Sequence, residues 1–257
     1  MSKKRVIYYD SFDFDPIGSE VAPRKIGADY KYIRGGASEF FSELLYRGVA
    51  TPLAFLYSKL CLCEKYVYGT KLPRGGYFLF SNHTEQIGDA FSPSISQFPR
   101  RVYVVVDPKN LAWGPVARLT PALGALPLPG DRHATRAFSE AIRKRLSEGG
   151  VIAVYPEAHL WPKYTGLRPF SPTAFDMAGM FSAPIYTATR VYQKGRLGVR
   201  SVIYIDGPFN YDNTLPRPAA REALIRSVRG TMEERLKLTT AEPIIYEKRT
   251  QGAPEEE

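Results

Sequence analysis

The sequence contains few cysteines and histidines, the residues that form disulfides or bind metal ions in small folds. Its two cysteines, Cys61 and Cys63, are too close together to frame a disulfide scaffold, and two cysteines cannot build a zinc ribbon. This sparse cysteine usage is typical of a reducing compartment. No pair of its three histidines has the spacing of metal ligands on one helix face, so a metal hydrolase is a weak alternative and we expect no metal.

Long apolar runs are also missing. In the most apolar region, residues 40–63, the longest stretch without a charge is Gly48–Ser58, far short of the roughly 20 residues that a spanning helix needs. The first five residues, Met1–Arg5, precede a polar stretch and no apolar one, which is typical of a chain without a signal peptide. We therefore expect the protein on the cytoplasmic side, and we find no internal repeat.

Positive charge is in excess, with 35 Lys and Arg against 26 Asp and Glu and a formal net charge of +9. Such a balance favours an anionic partner, which is a nucleic acid, a phospholipid surface or a phosphorylated or acidic substrate. No recognisable nucleic-acid module is present, so no nucleic acid is expected. At 257 residues and 44% hydrophobic, the chain is globular and long enough for one large α/β domain.

The texture of the sequence divides the chain into four segments. We predict an irregular N-terminal arm at 1–38, a helical membrane-associated segment at 39–68, a main domain at 69–240 and an unpacked tail at 241–257. Pro52 disfavours one continuous helix in the second segment, so we expect a hairpin of two short helices. Their wide apolar faces suit a membrane interface, and packing on the protein's own core is the alternative.

From residue 76 onward, short β-rich runs alternate with helical stretches. This alternation predicts an α/β fold with a mostly parallel sheet flanked by helices. The predicted strands are Tyr77–Ser81, Arg101–Val106, Ala125–Leu128, Val151–Tyr155, Pro184–Tyr192 and Val199–Asp206. The predicted helices are Trp113–Leu119, Ala134–Leu146, Thr173–Phe181 and Ala219–Leu238.

Polar residues follow two of these strands at the carboxyl ends, where open α/β sheets bind ligands. The first strand runs into Asn82 and His83, with Asp89 close behind. A histidine held by a carboxylate is suited to general-base catalysis. The alternative is a polar helix entry, in which Asn82 and His83 cap backbone groups.

The second strand, Val151–Tyr155, ends in Glu157 and His159. A carboxylate there either caps the next turn or orients a ligand. Between the two strand ends, Arg132, Arg136 and Arg143 share one face of a predicted helix. This face suits a phosphate or an acidic carrier protein, and a solvated helix face explains it equally well.

Taken in order, four blocks of this sequence resemble the glycerophospholipid acyltransferases typified by bacterial 1-acyl-sn-glycerol-3-phosphate acyltransferase. The resemblance spans roughly residues 40–205, and the ordered set is more specific than any single block. The blocks are Asn82-His83 through Asp89, the stretch from Gly124 to about Arg136, Tyr155-Pro156-Glu157-Ala158, and Ala183-Pro184-Ile185-Tyr186.

The resemblance implies an O-acyltransferase that makes phosphatidic acid in phospholipid biosynthesis. His83 would take a proton from the free hydroxyl of 1-acylglycerol-3-phosphate, which attacks acyl-CoA or an acylated carrier protein, and Asp89 would orient His83. No cofactor besides this co-substrate is implied. The lipid acceptor and the acyl donor place the enzyme at the cytoplasmic face of the membrane, as a peripheral or monotopic protein. The residues implied in substrate binding are Asn82, Arg132, Arg136, Glu157 and His159.

Three departures from the family pattern concern the site. Five residues separate His83 from Asp89 where the family has four, and we expect Gly88 to absorb the extra residue in a turn. Gly130 stands where the family has arginine, and Ala158 replaces the usual glycine of the third block. These departures leave two alternatives open: an acyltransferase for another lysolipid, and a non-catalytic lipid-binding protein of the same fold.

Overall fold

The structure is a computed structural model that describes residues 5–18, 26–27, 29–111, 119–196 and 198–249. It is a mixed α/β fold with helices on both faces of a central sheet. The strands are β1 Arg5–Tyr9, β2 Lys65–Tyr68, β3 Tyr77–Ser81, β4 Val102–Val106, β5 Ala125–Pro127, β6 Val151–Val154, β7 Ile185–Gly195, β8 Gly198–Phe209 and β9 Ile244–Lys248. The α-helices are α1 Ala37–Leu45, α2 Thr51–Leu60, α3 Gly88–Ser96, α4 Arg132–Ser147, α5 Pro172–Phe181 and α6 Arg217–Leu236, with a π-helical turn at Tyr46–Ala50 and a 3₁₀ turn at Pro108–Leu111.

The central sheet has seven strands in the order β2-β8-β7-β3-β6-β4-β5. Every neighbouring pair is parallel except β7 and β8, which are antiparallel, so the expectation of a mostly parallel sheet is confirmed. Each predicted strand from Tyr77 onward is present. The sequence missed β2, a short and partly exposed edge strand. The sheet therefore begins at Lys65, inside the segment predicted to be helical and membrane-associated.

The two faces of the sheet pack against different helices. Alternate side chains of β3 point to opposite faces, as a pleated strand requires: Phe78 and Phe80 join one apolar cluster, and Tyr77 and Leu79 join another. Helices α4, α5 and α6 supply the apolar residues of the first cluster. Helix α3 covers the second face, with α2 packed against it. The catalytic candidates lie on this second face.

Residues 37–60 form one continuous helical rod, so the prediction of a helical hairpin is wrong. The backbone stays helical where α1, the π-helical turn and α2 join. Pro52 lies in the first turn of α2. Proline has no backbone N–H, and the wider π-helical turn before it accommodates the loss of that hydrogen bond. The Thr51 hydroxyl also donates to the Tyr46 carbonyl at 2.8 Å. A proline therefore changes the helix type here without ending the rod.

The arm and the tail are also more ordered than the sequence predicts. Strand β1 from the arm pairs in parallel with β9 from the tail, with Arg5 opposite Ile244. The indole of Trp161 stacks on Tyr246 at 4.9 Å and lies edge-on to Tyr9 at 4.7 Å. Neither strand has a partner nearby in the sequence, so local patterns could not reveal the pairing.

The remaining sequence predictions about helices concern residues 113–119 and membrane crossing. The predicted helix Trp113–Leu119 falls almost entirely on residues 112–118, which lie outside the described residues. Within the described ranges, no helix has the length and apolar character needed to cross a bilayer.

Candidate active site

The parallel strands bring the two candidate loops to the same edge of the sheet. His83 follows β3, and Glu157 follows β6, which is the neighbour of β3. The backbone N–H of Trp161 donates to the His83 carbonyl at 3.1 Å, and that of Lys163 donates to the Thr84 carbonyl at 2.8 Å. The loop after β6 is therefore bonded directly to the turn that carries His83.

His83 and Asp89 are in contact. The imidazole Nδ1 lies 2.8 Å from Asp89 Oδ2, which also accepts the backbone N–H groups of Thr84 and Glu85 at 2.8 and 2.9 Å. The Tyr155 ring stacks on the imidazole with centroids 4.4 Å apart. The side chain of His83 is 23% exposed, so the Nε2 side of the ring is the one left for a substrate. This is the geometry of a general base that is held by a carboxylate.

A turn joins His83 to the helix that carries Asp89. His83 lies before α3, and α3 begins at Gly88. Gly88 has no positive φ, so backbone freedom is not its role. A Cβ at Gly88 would lie 2.8 Å from Leu62 Cδ1, so a larger residue at this position would require the Leu62 side chain to shift. The competing carboxylate, Glu85, forms an ion pair with Lys163 instead of contacting His83.

A buried arginine lies behind Asp89. Arg190, on β7, has Nη2 3.4 Å from Asp89 Oδ1, and its Nη1 donates to Glu64 Oε1 at 2.5 Å. Burial opposes the charge of Arg190, but the carboxylates of Asp89 and Glu64 raise its pKa. No motif or spacing in the sequence had singled out Arg190 or Glu64. The signal was an arginine within an apolar strand, because a buried arginine requires a carboxylate partner.

Asn82 is occupied by the protein's own backbone. Its Nδ2 donates to the Arg190 carbonyl at 3.0 Å, and its Oδ1 accepts the Arg190 N–H at 2.8 Å. The side chain is buried and continues the ladder between β3 and β7 past the end of β3. Asn82 therefore fixes the strand end from which His83 emerges.

Glu157 is likewise buried and internally bonded. Its Oε2 accepts the His83 N–H at 3.3 Å and lies 3.1 Å from Arg168 Nη2. Burial raises the pKa of Glu157, and the charge of Arg168 opposes that rise. Ala158, which replaces the family's glycine, has a φ of 64°, in the region that glycine adopts most readily. The position has kept its glycine-like backbone without the glycine.

The remaining predicted substrate contacts are more exposed. His159 is 38% exposed, with Nδ1 3.7 Å from Asp15 Oδ2. Arg132 is exposed at the start of α4, and Arg136, on its outer face, pairs with Glu140 at 3.0 Å. Helix α4 follows β5, three strands away from β3, which at about 4.8 Å per strand is a lateral separation of about 14 Å. The structure does not gather these arginines around His83.

Within the described residues, no group of three or more histidine, cysteine, aspartate or glutamate side chains is placed to hold a metal ion. A histidine paired with a carboxylate is the arrangement found in enzymes that use a general base.

The comparisons with known proteins agree with that class. The family model described as Acyltransferase matches residues 65–190, which include His83, Asp89 and every predicted substrate contact. This match identifies residues 65–190 as an acyltransferase domain.

Comparisons with solved structures and with curated sequences provide weaker information than the family model. The chain is similar to the crystal structure of the 1-acyl-sn-glycerophosphate (LPA) acyltransferase PlsC from Thermotoga maritima, with a TM-score of 0.49 and 15% sequence identity. That similarity covers 79% of this chain and 98% of the other chain. A search of curated protein sequences finds no match.

Proposed function

We propose that this enzyme moves an acyl group from an acyl thioester to the free hydroxyl of 1-acylglycerol-3-phosphate, making phosphatidic acid. The observation that carries the proposal is the 2.8 Å contact between His83 Nδ1 and Asp89 Oδ2 inside an acyltransferase domain. The donor is acyl-CoA or an acylated carrier protein. The excess of positive charge suits an acceptor and a donor that both carry phosphate.

In this mechanism His83 Nε2 removes the proton of the acceptor hydroxyl as its oxygen attacks the thioester carbonyl. Asp89 stabilises the imidazolium that forms and holds its Nδ1–H. The tetrahedral intermediate then expels the thiolate, which takes the proton back from His83 as the new ester bond is completed. His83 and Asp89 therefore return to their starting protonation states, and the reaction needs neither a redox cofactor nor an acyl-enzyme intermediate.

Asn82 and Glu157 support this reaction from within the protein in our proposal. Each bonds backbone on the turn or strand next to His83, and each side chain is buried. We assign them the task of fixing where His83 lies. His159, with its partly exposed ring on the loop after β6, is the residue of that loop that we propose contacts substrate.

The arginines of α4 suit the donor better than the acceptor. In 1-acylglycerol-3-phosphate, the phosphate is only a few bonds from the reacting hydroxyl, whereas Arg132 lies about three strand spacings from β3. The acidic part of the donor is separated from its thioester by a long arm. We therefore propose that Arg132 and Arg136 bind the phosphates of acyl-CoA or the acidic surface of a carrier protein.

The helical rod at residues 37–60 supports a peripheral or monotopic position on the membrane, at its cytoplasmic face. The rod exposes many large apolar side chains, among them Phe40 at 67% and Leu60 at 70%. Its α2 half packs on α3, the helix that carries Asp89. A bilayer under this rod would lie on the same face of the sheet as the catalytic pair.

The test is an assay of purified protein with labelled acyl-CoA and acylated carrier protein against a panel of lyso-acceptors, with mass analysis of the product. We expect thioester consumption that depends on 1-acylglycerol-3-phosphate and yields phosphatidic acid. Product formed only from lysophosphatidylcholine or a lyso-aminolipid would replace the acceptor. No thioester consumption with any acceptor would favour a lipid-binding protein that has lost the reaction.

A further inference from the structure

A buried polar group lies behind the catalytic pair and takes no part in the mechanism above. Arg190 Nη2 faces Asp89 Oδ1 at 3.4 Å and donates to Ser92 Oγ at 2.8 Å. Asp89 uses its other oxygen, Oδ2, for His83. The two carboxylate oxygens of Asp89 therefore have separate tasks, and the one turned inward faces a cation.

Glu64 holds this cation in place. Its Oε1 accepts from Arg190 Nη1 at 2.5 Å and from the Ser92 hydroxyl at 2.6 Å. Its Oε2 accepts from the Ser58 hydroxyl at 2.7 Å and from the Tyr66 hydroxyl. Burial opposes ionisation of Glu64, but the charge of Arg190 and the hydroxyl donors lower its pKa, so it is ionised at neutral pH. A fully bonded anion fixes where the guanidinium lies.

The charges of this group do not cancel. Glu64 and Asp89 contribute two negative charges and Arg190 one positive charge, so one negative charge remains behind a neutral His83. When His83 takes the substrate proton, the four side chains together become neutral.

The ionisable side chains around this group balance one another except for Lys59, whose Nζ donates to the Glu64 carbonyl at 2.9 Å. They are ion pairs, tyrosines whose pKa is raised by burial so that they stay neutral, and one exposed lysine: Lys163 with Glu85, Arg168 with Glu157, Tyr66, Tyr155, Tyr192 and Lys59.

We propose that Arg190 and Glu64 are positioning residues of the His83–Asp89 pair, with Arg190 fixing the inner oxygen of Asp89 and Glu64 supplying the excess negative charge behind His83. This inference rests on His83 as the base of the proposed function. It adds two residues, Glu64 and Arg190, that lie outside the four sequence blocks that resemble the family.

The test is an NMR titration of the His83 imidazole, which does not require turnover. Glu64→Gln keeps the shape and the acceptor oxygen but removes one negative charge, so protonated His83 loses stabilisation. We expect its titration midpoint to fall by about one pH unit. Adding Arg190→Met to Glu64→Gln leaves Asp89 as the single charge of the group, and the midpoint should return towards the wild-type value.

The matched control is Glu39→Gln. Glu39 also pairs with a buried arginine, Arg145, with 2.5 Å between them, but Arg145 lies in the last turn of α4, on the other face of the sheet. This variant should leave the His83 midpoint unchanged. The inference is overturned when the midpoint in Glu64→Gln equals that of the wild type, or when it shifts upward. If the double variant does not fold, Glu64→Gln alone decides.

Activity separates this inference from the proposed function. If the wild type acylates an acceptor, the acid limb of its pH–rate profile should move to lower pH in Glu64→Gln, in step with the NMR midpoint. If the wild type has no activity on any acceptor, the proposed function fails while the titration still tests the coupling of Glu64 to His83. A lower rate with an unmoved pH profile and midpoint would show a merely structural role.

Discussion

The α2 part of the helical rod at 37–60 packs on α3, on the catalytic face of the sheet, whereas α6 packs on the opposite face, and the amphipathic patterns of the rod and of α6 are reversed. Helix α6 buries Leu224, Val228 and Met232 and turns charged residues outward, as a surface helix usually does. The rod buries Ser42 and Ser58 and exposes large apolar side chains. The exposed set is Phe40, Phe41, Leu44, Val49, Leu53, Phe55, Leu56 and Leu60.

The reversal shows that the two faces of the sheet are built for different neighbours. Water suffices for the outer side of α6, whereas the rod leaves a contiguous apolar surface that costs free energy in water. The inward polar residues of the rod are used: the Ser58 hydroxyl bonds Glu64, and the Ser42 hydroxyl donates to the Ala122 carbonyl at 2.6 Å.

The largest difference should come from histidines on the two faces. His83→Ala removes the proposed base, and we expect the rate of acyl transfer to fall by about 10²–10⁴-fold. His133→Ala, at the exposed start of α4, should retain the wild-type rate. Steady-state thioester consumption measures both. Near-normal turnover of a folded His83→Ala protein would refute the mechanism and remove the functional asymmetry between the faces.

A sharper comparison uses two carboxylates of one turn. Asp89→Asn takes the negative charge from His83 Nδ1, and we expect turnover to fall on the order of 10²-fold. Glu85→Gln breaks only the ion pair with Lys163, so its effect on turnover should be much smaller. Turnover numbers of both variants, measured at saturating substrates, decide the order. The reverse order would mean that Glu85 orients the base in the working enzyme.

The rod itself can be tested on vesicles of phosphatidylglycerol. Replacing Leu56 and Leu60 with serine removes apolar surface that would insert into lipid, and we expect vesicle binding at least tenfold weaker, because each buried leucine contributes about 1.5–3 kcal/mol. Met180→Ser, at a 65% exposed position of α5, is the matched change on the other face and should bind normally. Co-sedimentation gives both affinities. Complete release of the wild type by about 1 M salt would instead indicate a purely electrostatic contact.

The smallest effect should come from α4. Arg132→Ala and Arg136→Ala remove cations that we place against the acyl donor, so the Michaelis constant for the donor should rise several-fold with turnover nearly unchanged. Initial rates with donor and acceptor varied in turn separate the two constants. A rise confined to the acceptor constant would assign these arginines to the acceptor phosphate. No change in either constant would make this face of α4 a solvated surface.

The sequence was sufficient for features carried by local pattern. The short apolar runs at Tyr77–Ser81 and Val151–Val154 located the central strands, and the spacing of Leu224, Val228 and Met232 located α6. The contact of His83 with Asp89 was expected from the resemblance of this block to the family motif, and the two side chains do meet at the end of β3.

The sequence was insufficient where partners are distant. The pairing of β1 with β9 and the bonds of Arg190 with Glu64 join residues that only the tertiary fold brings together. Pro52 misled for a local reason, since a π-helical turn accommodates a proline that an α-helical interior does not. Asn82 and Glu157 follow β3 and β6 as expected, but their observed contacts are with backbone and with Arg168, which no motif spacing predicts.

The pairing of β1 with β9 has a consequence for the order of events during synthesis. Strand β1 leaves the ribosome before β9 does, so it has no strand to pair with until β9 has been synthesised. Trp161 packs between these strands and bonds the turn that carries His83. We therefore expect a nascent chain to form its central sheet before Trp161 fixes the catalytic turn, so that the site becomes competent for reaction only after β9 has been synthesised.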